Sequence, residues 1–100
     1  MRRAAVLTVL RAHADLLRDI GIAHLAVFGS VARDDASGSS DVDLIITGTG
    51  DRPMTLFRMA RAQAALERIL GCKVDLIAAQ GLENAPEFRA RIAADLAPAF

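Results

Sequence analysis

The chain has a single cysteine, Cys72, and neither tryptophan nor tyrosine among its 100 residues. A lone thiol closes no internal disulfide, and Cys72 sits at the start of a short apolar run, where it reads as a small buried side chain rather than a nucleophile or ligand. Four phenylalanines are the only aromatics, and 12 basic residues balance 12 acidic ones to a formal net charge of zero. The basic excess and stacking platforms that grip long nucleic acid are both missing, which argues against a template-reading polymerase. No stretch approaches the roughly 20 apolar residues of a membrane span. Met1-Arg2-Arg3 and the apolar, then charged, helix after it lack the pattern of a cleavable signal, so the expected location is the cytoplasm. The basic residues are eleven arginines and one lysine, a compositional bias that names no partner. Repeats and linkers are absent too. What is abundant is apolar character, 53% of residues, enough for one core and one expected domain over 1–100.

Val6, Leu10, His13, Leu17 and Ile20 recur at four-three-four-three spacing, which predicts an amphipathic helix ending at Gly21, with His13 a partly buried packing residue. Leu25 to Phe28 reads as a buried strand, after which Gly29-Ser30 turns the chain into a brief helix. A second strand follows around Val42 and Leu44. Gly48 to Pro53 is a loop of strong breakers, with Pro53 in the first turn of the next helix. That helix buries Leu56, Met59, Leu66 and Leu70, turns Arg58, Arg61 and Arg68 to solvent, and ends at Gly71. Cys72 to Ile77 is a third strand. Asn84 and Pro86 start a last helix with Phe88, Ile92 and Leu96 as its buried side. His24, just before the first strand, has no partner pattern. The order helix, strand, short helix, strand, helix, strand, helix predicts an α/β (α+β) domain with a small mixed sheet flanked by helices.

Chemistry concentrates in three places. A strand that turns sharply at Gly29-Ser30 exposes unpaired N–H groups, which attract phosphate. Asp41 and Asp43 are two apart on a strand, so both carboxylates project from one face while Val42 and Leu44 take the other. Asp75 is a lone acid among the apolar residues of the third strand, where an unpaired charge is costly. Hard carboxylate oxygens suit magnesium, two ions of which can clamp the attacking and leaving oxygens of a phosphoryl displacement. Each piece alone has an ordinary reading: Gly-Ser as a turn, Asp-x-Asp as an exposed strand face with Asp41 capping the preceding turn, and Asp75 on an edge.

Taken together, Phe28-Gly29-Ser30-Val31-Ala32-Arg33, then Ser40-Asp41-Val42-Asp43-Leu44, then Val74-Asp75-Leu76-Ile77, resemble the minimal nucleotidyltransferases of the DNA polymerase beta-like superfamily over nearly the whole chain. The resemblance implies the palm-like nucleotidyltransferase fold. It makes Asp41, Asp43 and Asp75 the metal ligands and catalytic acids, with Asp75 also helping to deprotonate the acceptor. Gly29, Ser30, Arg33 and Ser40 become nucleotide-binding residues, with two Mg2+ ions as cofactor and ATP as substrate. Asp34-Asp35 depart from the family's habit of glycine after this arginine, and place negative charge either beside the site or in water.

Larger relatives hold their acceptor with an extra helical domain, for which 100 residues leave no room. In minimal nucleotidyltransferases the resemblance implies pairing with a small HEPN toxin, the nucleotidyltransferase acting as antitoxin and transferring AMP to a toxin hydroxyl. Two other readings stand beside it. One is an antitoxin that neutralises its toxin by binding alone, with a weak or inactive site. The other is a stand-alone enzyme modifying a small hydroxylated molecule, its substrate pocket built as a homo-oligomer; apolar residues on the terminal helices suit a partner or a self-interface.

Overall fold

The apolar stripe over the first 20 residues breaks at His13. In the computed structural model, which describes residues 2–35, 41–50 and 54–100, it forms two helices, α1 (Arg3–Ala12) and α2 (Ala14–Asp19). His13 leaves helical geometry at φ −108°, ψ 16°, and its Nδ1 lies 2.8 Å from the Val9 carbonyl oxygen. Such a local side-chain bond competes with continuation of the helix. The stripe keeps its function across the break: Val6, Leu10 and Leu17 are fully buried and Ile20 packs against them.

Strand β1 spans Ile22–Phe28, starting three residues before Leu25. It pairs antiparallel with β2 (Val42–Gly48), which pairs parallel with β3 (Val74–Ala78). A two-residue strand, β4 (Ala97–Pro98), pairs antiparallel with the other side of β1, giving the order β3-β2-β1-β4. The expected mixed sheet with flanking helices is therefore present. Strand alternation divides it cleanly. Leu25 and Val27 of β1 and Val42, Leu44 and Ile46 of β2 are buried in the same core as α1 and α2, each such side chain contributing about 1.5–3 kcal/mol. Asp43, Ile45 and Thr47 take the opposite face. No residue pattern predicts β4. Its position is fixed from a distance, because Arg11 of α1 donates from Nε to the Ala99 carbonyl (2.8 Å) and from Nη2 to the Pro98 carbonyl (3.0 Å).

Between β2 and β3 runs α4 (Leu56–Leu70). Thr55 caps its start, the hydroxyl accepting the Arg58 N–H at 3.2 Å; Pro53, expected in the first turn, lies outside the described residues. Gly71, at φ +71°, ends it. Ala62, Leu66 and Leu70 are buried and Met59 packs against them, whereas Leu56, assigned by spacing to the same face, is 91% exposed. At 100° per residue Leu56 has drifted roughly 80° from the centre of that stripe. Arg58 is half-buried, whereas Arg61 and Arg68 are exposed. After β3 an unforeseen 3-10 helix (Ala79–Asn84) leads into α5 (Pro86–Ala93), with Pro86 in its first turn as expected. Of the expected buried trio only Ile92 is buried. Phe88, inside α5, is 38% exposed, and Leu96, beyond the end of α5 at Ala93, is 42% exposed. Cys72 is half-buried just before β3. Among the described residues no helix is long and apolar enough to cross a membrane.

Candidate active site

At the end of β1 the chain reverses through Gly29, at φ +73°, into the one-turn helix α3 (Gly29–Ala32). The residue ahead of it, Phe28, is extended and offers no side-chain cap, so no side chain of the preceding residue satisfies the first N–H groups of the turn. Gly29 is needed for a second reason. A Cβ on it would overlap Asp43 Oδ2 and lie 3.2 Å from Asp43 Cγ, so the backbone of the turn rests directly against a carboxylate.

Asp43 stands opposite Phe28 on β1 and opposite Asp75 on β3. Partners in adjacent strands lie about 4.8 Å apart, and residues two apart on one strand about 6.6 Å. Asp43 and Asp75 are therefore neighbours, with Asp41 one step further along, exposed just before β2. Asp75 is exposed and Asp43 half-buried. Burial raises the Asp43 pKa above its ordinary value, Asp75 and then Asp41 push it the same way, and the Arg33 charge pulls it back in part. Among the described residues no three His, Cys, Asp or Glu side chains form a group that could hold a metal ion. The chemistry of the donors nevertheless fits one: three carboxylates with hard oxygens, no thiol or imidazole among them, and a crowded negative charge that a divalent cation would relieve.

Arg33 closes α3, its N–H donating to the Gly29 carbonyl at 3.1 Å. Its guanidinium is gripped by two carboxylates, Nε donating to Asp35 (3.0 Å) and Nη1 to Asp95 (2.8 Å). Asp34 turns away from this arrangement. It adopts φ +60°, a left-handed conformation that explains why glycine suits this position. Its Oδ1 accepts the Arg3 N–H at 2.7 Å, capping the start of α1, where Arg2 gives no side-chain cap. Neither acid of the Asp34-Asp35 departure is unpaired. Asp34→Ala should lose the cap and keep the strained backbone, costing about 1–2 kcal/mol, whereas Asp34→Gly, which trades the cap for relief of strain, should stay within about 0.5 kcal/mol. Urea denaturation of the two variants measures both.

Ser40 lies outside the described residues. Two side chains near Asp75 went unread in the sequence: Glu67 accepts the Val74 N–H (3.1 Å) and Gln63 donates to the Val74 carbonyl (3.3 Å). They tie α4 to the outer edge of β3 beside Asp75. Their four-residue spacing on α4 was the available signal. Asp95, 62 residues from Arg33, left none.

The family model described as nucleotidyltransferase domain matches residues 10–98. A Methanocaldococcus jannaschii relative, provisionally named a protein adenylyltransferase, is 33% identical over 89 residues, 88% of either chain. Protein adenylyltransferase MntA of Thermococcus cleftensis is 32% identical over 78 residues, 77% of either chain. A solved structure provisionally described as a minimal nucleotidyltransferase superposes with a TM-score of 0.77 at 34% identity, covering 96% of this chain and 94% of that one. A chain of the complex of tri-AMPylated Shewanella oneidensis HEPN toxin with MNT antitoxin gives 0.65 at 13% identity, with 94% and 71% covered, a likeness of fold.

Proposed function

The chain belongs to the nucleotidyltransferase domain family, in its minimal form, and from that premise we propose that it transfers AMP from ATP to a hydroxyl of a HEPN-type toxin and so serves as its antitoxin. The observation that carries this reading is the register of β2 and β3, which sets Asp43 beside Asp75, together with the bare Gly29 turn packed on Asp43. Relatives above 30% identity are named protein adenylyltransferases, and a HEPN toxin complex shares the fold.

In this reading Asp41, Asp43 and Asp75 would hold Mg2+, which supplies neutralisation of the triphosphate and polarisation at the α-phosphorus when bound. The N–H groups at Gly29 and Ser30 receive the β- and γ-phosphates, and Arg33 and Ser40 add side-chain contacts to the same groups. Asp75, the more exposed of the strand pair, accepts the proton of the acceptor hydroxyl. The hydroxyl oxygen bonds to the α-phosphorus, the bond to the bridging oxygen of the β-phosphate breaks, and pyrophosphate leaves.

The test is transfer of label from α-labelled ATP, with magnesium, into the product of the adjacent gene. Label that enters the partner with the unaltered protein and is lost with Asp41→Asn supports the reading. A stable complex with no label would sink it and leave neutralisation by binding alone.

A further inference from the structure

Two carboxylates hold the Arg33 guanidinium, one at Nε and one at Nη1. Nε is taken by Asp35, two residues on, and Nη1 by Asp95, which follows α5 and precedes β4. Asp95 is itself anchored, its N–H donating to the carbonyl of the buried Ile92 at 3.0 Å. A guanidinium has five N–H groups in a planar fork. Two are used here, and among the described residues the others, both on Nη2 and one on Nη1, make no hydrogen bond. The Arg33 side chain is 46% exposed, so it remains open in part to a ligand from solvent. Planar charged donors of this kind suit phosphate oxygens. The backbone bond from Arg33 to Gly29 sets this side chain one turn from the Gly29-Ser30 turn.

We propose that Asp95 is a positioning residue for the nucleotide: with Asp35 it fixes Arg33 so that its remaining guanidinium donors are ready for phosphate before ATP arrives. This rests on the nucleotidyltransferase reading of the Gly29-Ser30 turn. Ion pairs as exposed as these contribute little to folding, whereas a released arginine spreads over many rotamers and must lose that freedom on binding. Removal of Asp95 therefore shows in affinity rather than in stability.

Calorimetric titration with ATP and magnesium decides the matter for the unaltered chain, Asp95→Asn, Asp95→Glu, Arg33→Met and the Arg33→Met, Asp95→Asn double variant. The expected result is a dissociation constant raised about 3- to 10-fold in Asp95→Asn, with most of the loss recovered in Asp95→Glu and a melting temperature within about 2 °C of the unaltered chain. The double variant should bind no more weakly than Arg33→Met alone, since Asp95 acts through Arg33. Equal or tighter binding by Asp95→Asn, or an additive loss in the double variant, overturns the inference and leaves the proposed function standing. Absence of ATP binding by the unaltered chain overturns both.

Discussion

Gly29→Ala is expected to reduce transfer by on the order of 10²-fold and to destabilise the chain by about 1–3 kcal/mol. Two independent costs meet at this residue. A side chain at φ +73° costs about 1–2 kcal/mol whatever surrounds it. The added methyl would also enter the volume of the Asp43 carboxylate, so either the turn or Asp43 must shift. A displacement of about 1 Å in a positioned catalytic group is enough for a 10²-fold loss. The same alanine at Gly71, also at positive φ but with nothing within 4 Å of its Cβ, carries only the conformational cost and leaves transfer untouched. Melting temperatures and label transfer for the two variants separate backbone strain from collision with Asp43. A Gly29→Ala protein with full transfer would remove the turn from the active site.

Periodicity carried most of the fold. The alternation around Val42 and Leu44 and the spacing of Leu66 and Leu70 placed β2 and α4, because both elements bury one clean face. The elements that went unread are held by groups far away in the chain. β4 depends on Arg11, 87 and 88 residues away, and two residues with a proline have no pattern of their own. The break at His13 depends on one side-chain bond within an unbroken apolar stripe. Leu56 and Phe88 show the opposite failure: spacing assigned each to a buried face, yet Leu56 lies off the centre of the α4 stripe and both stay exposed. At the candidate site, two-residue spacing gave the shared face of Asp41 and Asp43. The strand register that sets Asp75 beside Asp43 is a property of pairing. Asp34 was visible as a departure from glycine, but its capping of α1 rests on a contact 31 residues away.

Asp43→Asn should abolish transfer, by on the order of 10³-fold, and at the same time make the free protein more stable. Asp43 is pressed by burial, by Asp75 and by Asp41, so its folded pKa lies above the ordinary 3.8. The sign follows from proton linkage. Between 3.8 and the raised value the folded chain keeps a proton that the unfolded chain has released, so stability falls as pH rises through that window and the full penalty stands at neutral pH. Asparagine carries no such penalty. Because the group is only half-buried the gain is screened to about 0.5 kcal/mol, or about 2–4 °C in melting temperature for a chain of this size. The advantage should shrink to nothing as pH drops below 3.8, where Asp43 is neutral in both states. Magnesium with a non-hydrolysable ATP analogue should reverse the order, since it stabilises only the chain that binds it. Melting curves across pH, with and without that addition, check all three statements. A variant less stable than the unaltered chain at neutral pH would mean that Asp43 is held by favourable contacts, and that its crowding by like charge is not what the site maintains for catalysis.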